Sequence, residues 1–393
     1  MSISMDTTSP APPQDPLPLA QALIRCPSVT PTDAGALDVL GNALARLGFS
    51  LHRQRFEEVE NLYAVLRTGQ GPNLCFAGHT DVVPVGDAAG WSHDPFGADV
   101  SDGMLWGRGA ADMKAAIAAM VSGVETHLLA HGPPAGAISF LITADEEGPA
   151  LHGTKRMLGW LKERGETIDH CLVGEPTSSD RFGDTVKNGR RGSLNAVITV
   201  SGKQGHVAYP EKSANPVPAL LALCQALLAR KLDDGAQGFT PSNLEVTTLD
   251  VANVAHNVIP AKAEAKFNIR FNTAHTGEAL LAWIEDTRAA TQARFPGCTL
   301  TIRPVVGAYP FYTTPCSFID VIVRGVEATT GLKPELSTTG GTSDARFIKD
   351  ICPVAEFGLL NETAHKVDEH VAVADVRTLA KVYAAVIGGY FAA

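Results

Sequence analysis

The sequence predicts an α/β protein, with a discontinuous main domain on a mostly parallel mixed sheet, interrupted by an inserted ferredoxin-like domain. Three observations carry that expectation. From residue 20 onward, short apolar runs alternate with amphipathic stretches of helical period. Between residues 192 and 304 the succession becomes strand, helix, strand, strand, helix, strand, the βαββαβ order of a ferredoxin-like sandwich. Beyond it the first pattern resumes, so the insertion cuts the main domain in two.

Residues 1–16, rich in Ser, Thr and Pro, read as a mobile lead-in, and 17–191 as the first part of the main domain. Strands are expected at 62–66, 74–77, 138–143 and 170–173, where apolar residues run together as in strands buried on both faces. A helix is expected over 111–130, where Ala, Ile, Met, Val and Leu recur at helical spacing. Within the insertion, strands at 194–200, 244–251, 263–271 and 299–303 accompany helices at 216–230 and 276–294. The second part of the main domain, 305–393, adds a helix at 317–330, a strand at 354–358 and a last helix from 374.

At 393 residues the chain suits two or three domains, each large enough for its own core. Hydrophobic residues at 45% and charged residues at 19% exclude a disordered chain or a coiled coil. Its 32 basic and 42 acidic residues leave a net charge of −10, which disfavours nucleic acid and anionic membranes as partners. The cysteines, at 26, 75, 171, 224, 298, 316 and 352, form no CxxC pair, a reducing-compartment pattern rather than a disulfide framework or thiolate zinc site. No basic residue precedes Arg25, no apolar core of leader length follows, and no apolar run reaches spanning length, so a cytoplasmic protein is expected.

Acidic and imidazole residues gather in FAGHTDVVP, GRGAADMK, TADEEGP, VGEPTS and NETAHKVDEH, each just past an expected strand or in a loop. In open α/β sheets that edge is where sites form. A single His after a strand is ordinarily a hydrogen-bonded loop residue, and a single Asp or Glu there a helix cap or solvated group. Five segments that each supply a ligand type change that balance. His93, His127, His131 and His152 share in no such convergence and read as structural or solvated.

His79, Asp112, Glu147, Glu175 and His365 together offer two imidazoles and three carboxylates, a set that suits Zn²⁺, with Co²⁺ or Mn²⁺ able to substitute. One bridging carboxylate would leave each of two ions one His and one terminal carboxylate, and Asp112 is the natural bridge. Two ions about 3.5–4 Å apart polarise an amide carbonyl and generate a nucleophile near neutral pH. The neighbours Glu146 and Glu147 face opposite sides of an extended backbone, so one ligates and the other stands beside the water. Glu146 is assigned the general base and acid role. Asp81, two residues after His79, is placed to accept that ligand's ring N–H.

From about residue 17 on, the sequence resembles the dinuclear zinc aminoacylase and carboxypeptidase superfamily, through GHTDVVPVGD (78–87), GRGAADMK (107–114), TADEEGPALHGT (143–154) and VGEP (173–176). Within it, the chain resembles the succinyl-diaminopimelate desuccinylases, through VKNGRRGSLN (186–195), GKQGHVAYP (202–210), NVIP (257–260), KFNIRF (266–271), STTGGTSDARF (337–347) and NETAHKVDEH (361–370). The resemblance implies two zinc ions per subunit, with His79 and Glu175 on one, Glu147 and His365 on the other, and Asp112 between them. It implies Glu146 as proton acceptor and Asp81 as catalytic support. It further implies that the inserted domain makes a homodimer in which His206 reaches the partner's site to stabilise an oxyanion. The implied reaction is hydrolysis of N-succinyl-LL-2,6-diaminopimelate to succinate and LL-2,6-diaminopimelate.

Such a substrate carries three carboxylates, for which Arg190, Arg191, Arg270 and Arg346 are the cationic candidates. Intramolecular pairing is the competing use for Arg191 and Arg346. Gly340, Gly341, Thr342 and Ser343 form a loop suited to a carboxylate or oxyanion. Ser193, Tyr209, His256, Asn257 and Asn361 complete the candidate contacts. Two positions depart from the family pattern: His256 stands for its Asn, and Ala345 for the second Gly of GGTSDGRF. The competing enzymatic reading is another N-acyl amino acid deacylase, of acetylornithine type, or a dipeptidase. A non-catalytic amino-acid-binding protein is the rival of another class, and completeness of the ligand set argues against it. A nucleotide site is excluded, because no GxxxxGK[ST] occurs and Gly107-Arg108-Gly109 lacks a third glycine.

Overall fold

The described residues of this computed structural model are 15–392. The chain divides into two units: the first holds the residues up to Asn188, Thr313–Ser337 and those from Ser343 on, the second Gly189–Tyr312 with Thr338–Thr342. Residues 1–14 of the expected lead-in lie outside the described residues. Asp15 caps helix Pro16–Ile24 by accepting from Leu17 N at 3.2 Å.

In the first unit an eight-stranded sheet runs, edge to edge, Ser50–Phe56, Val59–Arg67, Ala137–Thr143, Asn73–His79, His170–Val173, Val354–Glu356, Thr185–Lys187 and Glu335–Ser337. Its central pairings are parallel, Asn73–His79 with both Ala137–Thr143 and His170–Val173, and the latter with Val354–Glu356. The edge built from Ser50–Phe56 and Val59–Arg67 is antiparallel. Asn73–His79 and Ala137–Thr143 are buried at every residue, which explains their largely apolar character.

Helix Ala115–His131 is buried along most of its length and packs on the C-terminal helix Val373–Phe391. Their close approach depends on Gly123, where a Cβ would fall 2.8 Å from Tyr383 Cβ and 2.9 Å from Ala380 O. Among the described residues no helix is long and apolar enough to cross a membrane.

The second unit carries a four-stranded antiparallel sheet in the order Asn243–Asp250, Lys262–Phe271, Gly192–Ser201, Thr299–Ala308. Helices Pro216–Leu228 and Gly277–Arg294 interleave with these strands along the chain, and their Leu220, Leu223, Leu280 and Ile284 join Ala265, Phe267 and Ile269 in a separate core. Asn215 and Thr276 cap the two helices. The unit's ends reach beyond 192–304 for identifiable reasons. The last strand continues to Ala308, Phe311–Tyr312 pairs with Gly189–Arg190, and Thr338–Thr342 is tied in by Thr338 Oγ1 donating to Gly238 O.

Strand Ser50–Phe56 is absent from the expected elements because none of its residues is fully buried and three of its seven residues are basic or His. Helices Ala36–Arg46 and Thr154–Glu163 and the three-residue strands Thr185–Lys187 and Glu335–Ser337 are further additions.

Candidate metal centre

His79 is the last residue of its strand, Asp145-Glu146-Glu147 follows the end of Ala137–Thr143, and Glu175 follows His170–Val173 by one glycine. Those three strands are parallel, so one sheet edge receives all these side chains. Asp112 comes from the turn Ala110–Lys114 before the buried helix, where Asp112 and Met113 leave helical φ/ψ. His365 comes from the loop after Val354–Glu356 and holds φ 63°, a left-handed backbone that is uncommon for a residue with a Cβ and recurs at functional sites.

Asp112 stands between the two imidazoles. Its Oδ1 lies 3.2 Å from His79 Nε2 and its Oδ2 3.2 Å from His365 Nε2. His79 Nε2 is 3.8 Å from Glu175 Oε1, and His365 Nε2 is 2.8 Å from Glu147 Oε1. Donor atoms of His79, Asp112 and Glu147 fall within 4.8 Å of one another, as do those of His79, Glu146 and Glu175. No cysteine enters either group. All five expected ligands are thus drawn together, with Glu146 inside the same radius.

In the metal-free protein these groups hold one another's charge. Burial opposes ionisation of Asp112, but hydrogen bonds from His365 and His79 outweigh it and keep the carboxyl well below its usual range. Hydrogen bonds to Asp112 and Glu147 raise His365 to about 10. Burial disfavours a charged His79, yet the Asp112 hydrogen bond and the charges of Asp112, Asp81 and Glu175 carry its pKa well above the ordinary value. Glu146 is pushed up to about 8, first by burial and then by Asp344, so the group can hold a proton near neutral pH.

Asp81 acts differently from expectation. His79 Nδ1 donates to the main-chain carbonyl of Asp81 at 2.9 Å, and the Asp81 carboxylate is 3.7 Å away. That carboxylate instead accepts from Glu146 N at 3.2 Å and Glu147 N at 3.0 Å, tying the glutamate turn to the histidine strand. Burial raises its pKa to about 6. The sequence could not distinguish the residue's two oxygens of this kind, main chain and side chain.

Arg346 Nη2 lies 3.9 Å from Glu146 Oε1 and 3.8 Å from Asp344 Oδ1, an intramolecular use of that arginine. Asn361 is exposed in the loop before His365. Ser343, also in the first unit, donates to Glu356 Oε1 at 2.5 Å, and the remaining candidates belong to the second unit. There Arg190 Nη1 donates to Gly341 O at 3.0 Å, Arg191 Nη1 to Asn243 Oδ1 at 3.0 Å, and Ser193 Oγ accepts from Asn268 Nδ2 at 3.1 Å. Burial and the neighbouring Arg191 lower the pKa of Arg270. His206 is exposed on the two-residue pairing of Gly205–His206 with Val258–Ile259, with the Tyr209 ring 5.7 Å from its own. His256 and Asn257 are exposed just before that second strand, and Thr342 is half-buried.

Four residues with structural work near the centre were missed: Asp145, whose carboxylate accepts from Ala150 N and His152 N, Asp344, which accepts from Thr154 Oγ1, and the buried pair Arg108 and Glu369. All four lie inside the chemistry-bearing segments or GTSDARF, so proximity to the motifs was the available signal.

The sequence model of Peptidase family M20/M25/M40 matches residues 75–388. Succinyl-diaminopimelate desuccinylase of Caulobacter vibrioides is 58% identical over 389 residues, 98% of this chain and 99% of that protein. The enzyme of the same name from Maricaulis maris is 58% identical over 377 residues, 96% of each chain. Among solved structures, the M20 family metallo-carboxypeptidase Sso-CP2 of Sulfolobus solfataricus superposes with a TM-score of 0.79 at 16% identity, covering 97% of this chain and all of that one. Human carnosine dipeptidase 1 gives 0.73 at 17% identity, covering 96% of each chain. At such identities the structural likeness speaks for the fold.

Proposed function

We propose that this chain, which belongs to peptidase family M20/M25/M40, hydrolyses N-succinyl-LL-2,6-diaminopimelate to succinate and LL-2,6-diaminopimelate with two zinc ions per subunit. The observation that carries the reading is Asp112, with one carboxylate oxygen facing each imidazole at 3.2 Å. The donor set fits zinc, since it offers imidazole nitrogen and carboxylate oxygen gathered within 4.8 Å, with terminal carboxylates on both sides of the bridge. His79 and Glu175 would hold one ion, Glu147 and His365 the other, and Asp112 both.

When bound, such a pair supplies Lewis acidity for the amide carbonyl and for a water molecule. Glu146, whose carboxylate stands within 4.8 Å of the His79 and Glu175 donor atoms, takes the proton of the attacking water and delivers it to the departing amine. Asp81 keeps Glu146 in place through the Glu146 and Glu147 main-chain N–H groups and fixes the His79 ring through its carbonyl. Arg190 and Arg270 meet the substrate carboxylates, with Gly341, Thr342, Ser193, Tyr209, His256, Asn257 and Asn361 as further contacts.

The second unit serves as a ferredoxin-like dimerisation domain, and His206 acts on the partner subunit's substrate. Its Nδ1 accepts from Ala208 N at 3.0 Å, so a neutral ring carries its proton on Nε2, available to an oxyanion.

A kinetic comparison of N-succinyl-LL-2,6-diaminopimelate, N-acetylornithine and dipeptides with added zinc tests the reading. The expected result is a strong kcat/KM preference for the succinyl compound, abolished by chelation and restored by zinc. Preference for the acetyl compound or a dipeptide contradicts the substrate, and hydrolysis that survives chelation contradicts the metal.

A further inference from the structure

Glu369, with no exposed surface, is joined to Arg108, whose side chain is 3% exposed. Oε2 of Glu369 accepts from Arg108 Nη1 at 2.7 Å. Oε1 accepts from the main-chain N–H of Ala111 at 2.9 Å and of Asp112 at 3.1 Å. Arg108 Nη1 also donates to Lys366 O at 3.0 Å, and Nη2 to Pro84 O at 3.4 Å. The guanidinium lies 5.1 Å from the centre of the Trp91 ring. The two side chains therefore reach the backbone of Asp112, that of the residue after His365, and the segment that follows His79 and Asp81.

We infer that Glu369, acting with Arg108, is a positioning residue that sets the span between Asp112 and His365, and thereby the fit of the second ion of the pair. This rests on the metal reading above. The physical ground is that Asp112 carries no helical backbone to hold it, since its φ/ψ of −125° and 93° break the turn. His365 likewise sits in a left-handed conformation in an exposed loop. Neither ligand is fixed by regular structure, and one buried ion pair bonds to the main chain of Asp112 and to that of Lys366, the residue after His365. Charge-assisted hydrogen bonds to main-chain N–H at a helical start are strong and directional. A buried ion pair is a poor source of net stability, so its use here is geometric.

Glu369→Gln keeps the shape but has one oxygen in place of two. Its amide NH₂ must face either the Ala111 and Asp112 N–H groups or Arg108, setting donor against donor. Arg108→Lys keeps the charge but puts one nitrogen in place of the two that the planar guanidinium holds apart, one toward Glu369 and Lys366 O and the other toward Pro84 O.

Co²⁺ titration of the metal-free protein, followed by its visible absorption and by competition with a chelator, reads the effect without turnover. Wild type should take up two ions per chain. In E369Q the weaker ion should lose about 10- to 100-fold in affinity with an altered absorption band, R108K should shift the same way by less, and KM should hold while kcat falls. Thermal unfolding of the metal-free variants separates this from simple destabilisation. Unchanged Co²⁺ affinity in both variants, beside a wild type that binds two ions, overturns the positioning role, whatever the unfolding temperature does. If E369Q does not fold, R108K decides alone, and unchanged affinity there overturns it. A wild type that binds fewer than two ions removes the metal reading itself and this inference with it.

Discussion

In the first unit His79, Glu147 and Glu175 sit at or just past the ends of parallel strands and Asp112 lies between the imidazoles of His79 and His365, whereas in the second His206, Tyr209 and His256 stand exposed on a two-residue strand pair and its loops. The candidate metal donors thus all come from one unit of one chain. The exposed group has no comparable bracing, and its chemistry depends on what it meets. The first region is therefore sensitive to any change at one atom, and the second to changes in partner or substrate.

The sharpest way to break that contrast is Glu146→Gln. Loss of the proton carrier should lower kcat by about 10²- to 10⁴-fold with metal content unchanged. Retained turnover in a two-zinc variant removes Glu146 from the mechanism. His206→Ala should lower kcat by about 10²- to 10³-fold, the effect of losing one oxyanion donor, with metal binding untouched. Mixing H206A and E146Q subunits should then return part of the activity in heterodimers, and no recovery argues for action within one chain.

Proton linkage gives a third and smaller effect. His365 is raised from an ordinary 6.5 to about 10 by Asp112 and Glu147, so in the metal-free protein its protonated form contributes stability that is full below about pH 6.5 and lost as the pH rises through about 10. A metal must displace that same proton, so zinc affinity should climb over the interval in which the chelated protein loses thermal stability. Parallel rather than opposed trends contradict the assignment. The smallest effect is expected from His256→Asn, which restores the family residue on an exposed loop. It should change KM by a few-fold at most and leave metal content alone, and a large kcat change would move His256 into the chemistry.

The legibility of the sequence follows the same division. Strands 74–77, 138–143 and 170–173 were readable because strands buried on both faces leave largely apolar runs. Ser50–Phe56 was not, since an exposed edge strand reading SLHRQRF has no such run. The five ligands were visible as residue types after strand ends or in loops, and their assembly around Asp112 adds distances that no spacing contains. Asp81 shows the limit: its position was read, but residue type alone does not say whether its main-chain or its side-chain oxygen faces His79. Glu369 shows another, because a buried carboxylate and a solvated one look the same in DEH. The role proposed for His206 came from resemblance alone, since nothing in GKQGHVAYP distinguishes a donor from a turn.

The central claim is that Asp112 bridges two ions, and anomalous diffraction at the zinc edge from crystals of the zinc-loaded protein tests it most directly. Two peaks should flank the Asp112 carboxylate, one beside His79 and Glu175, the other beside Glu147 and His365. A single peak, or two that do not share Asp112, contradicts the account.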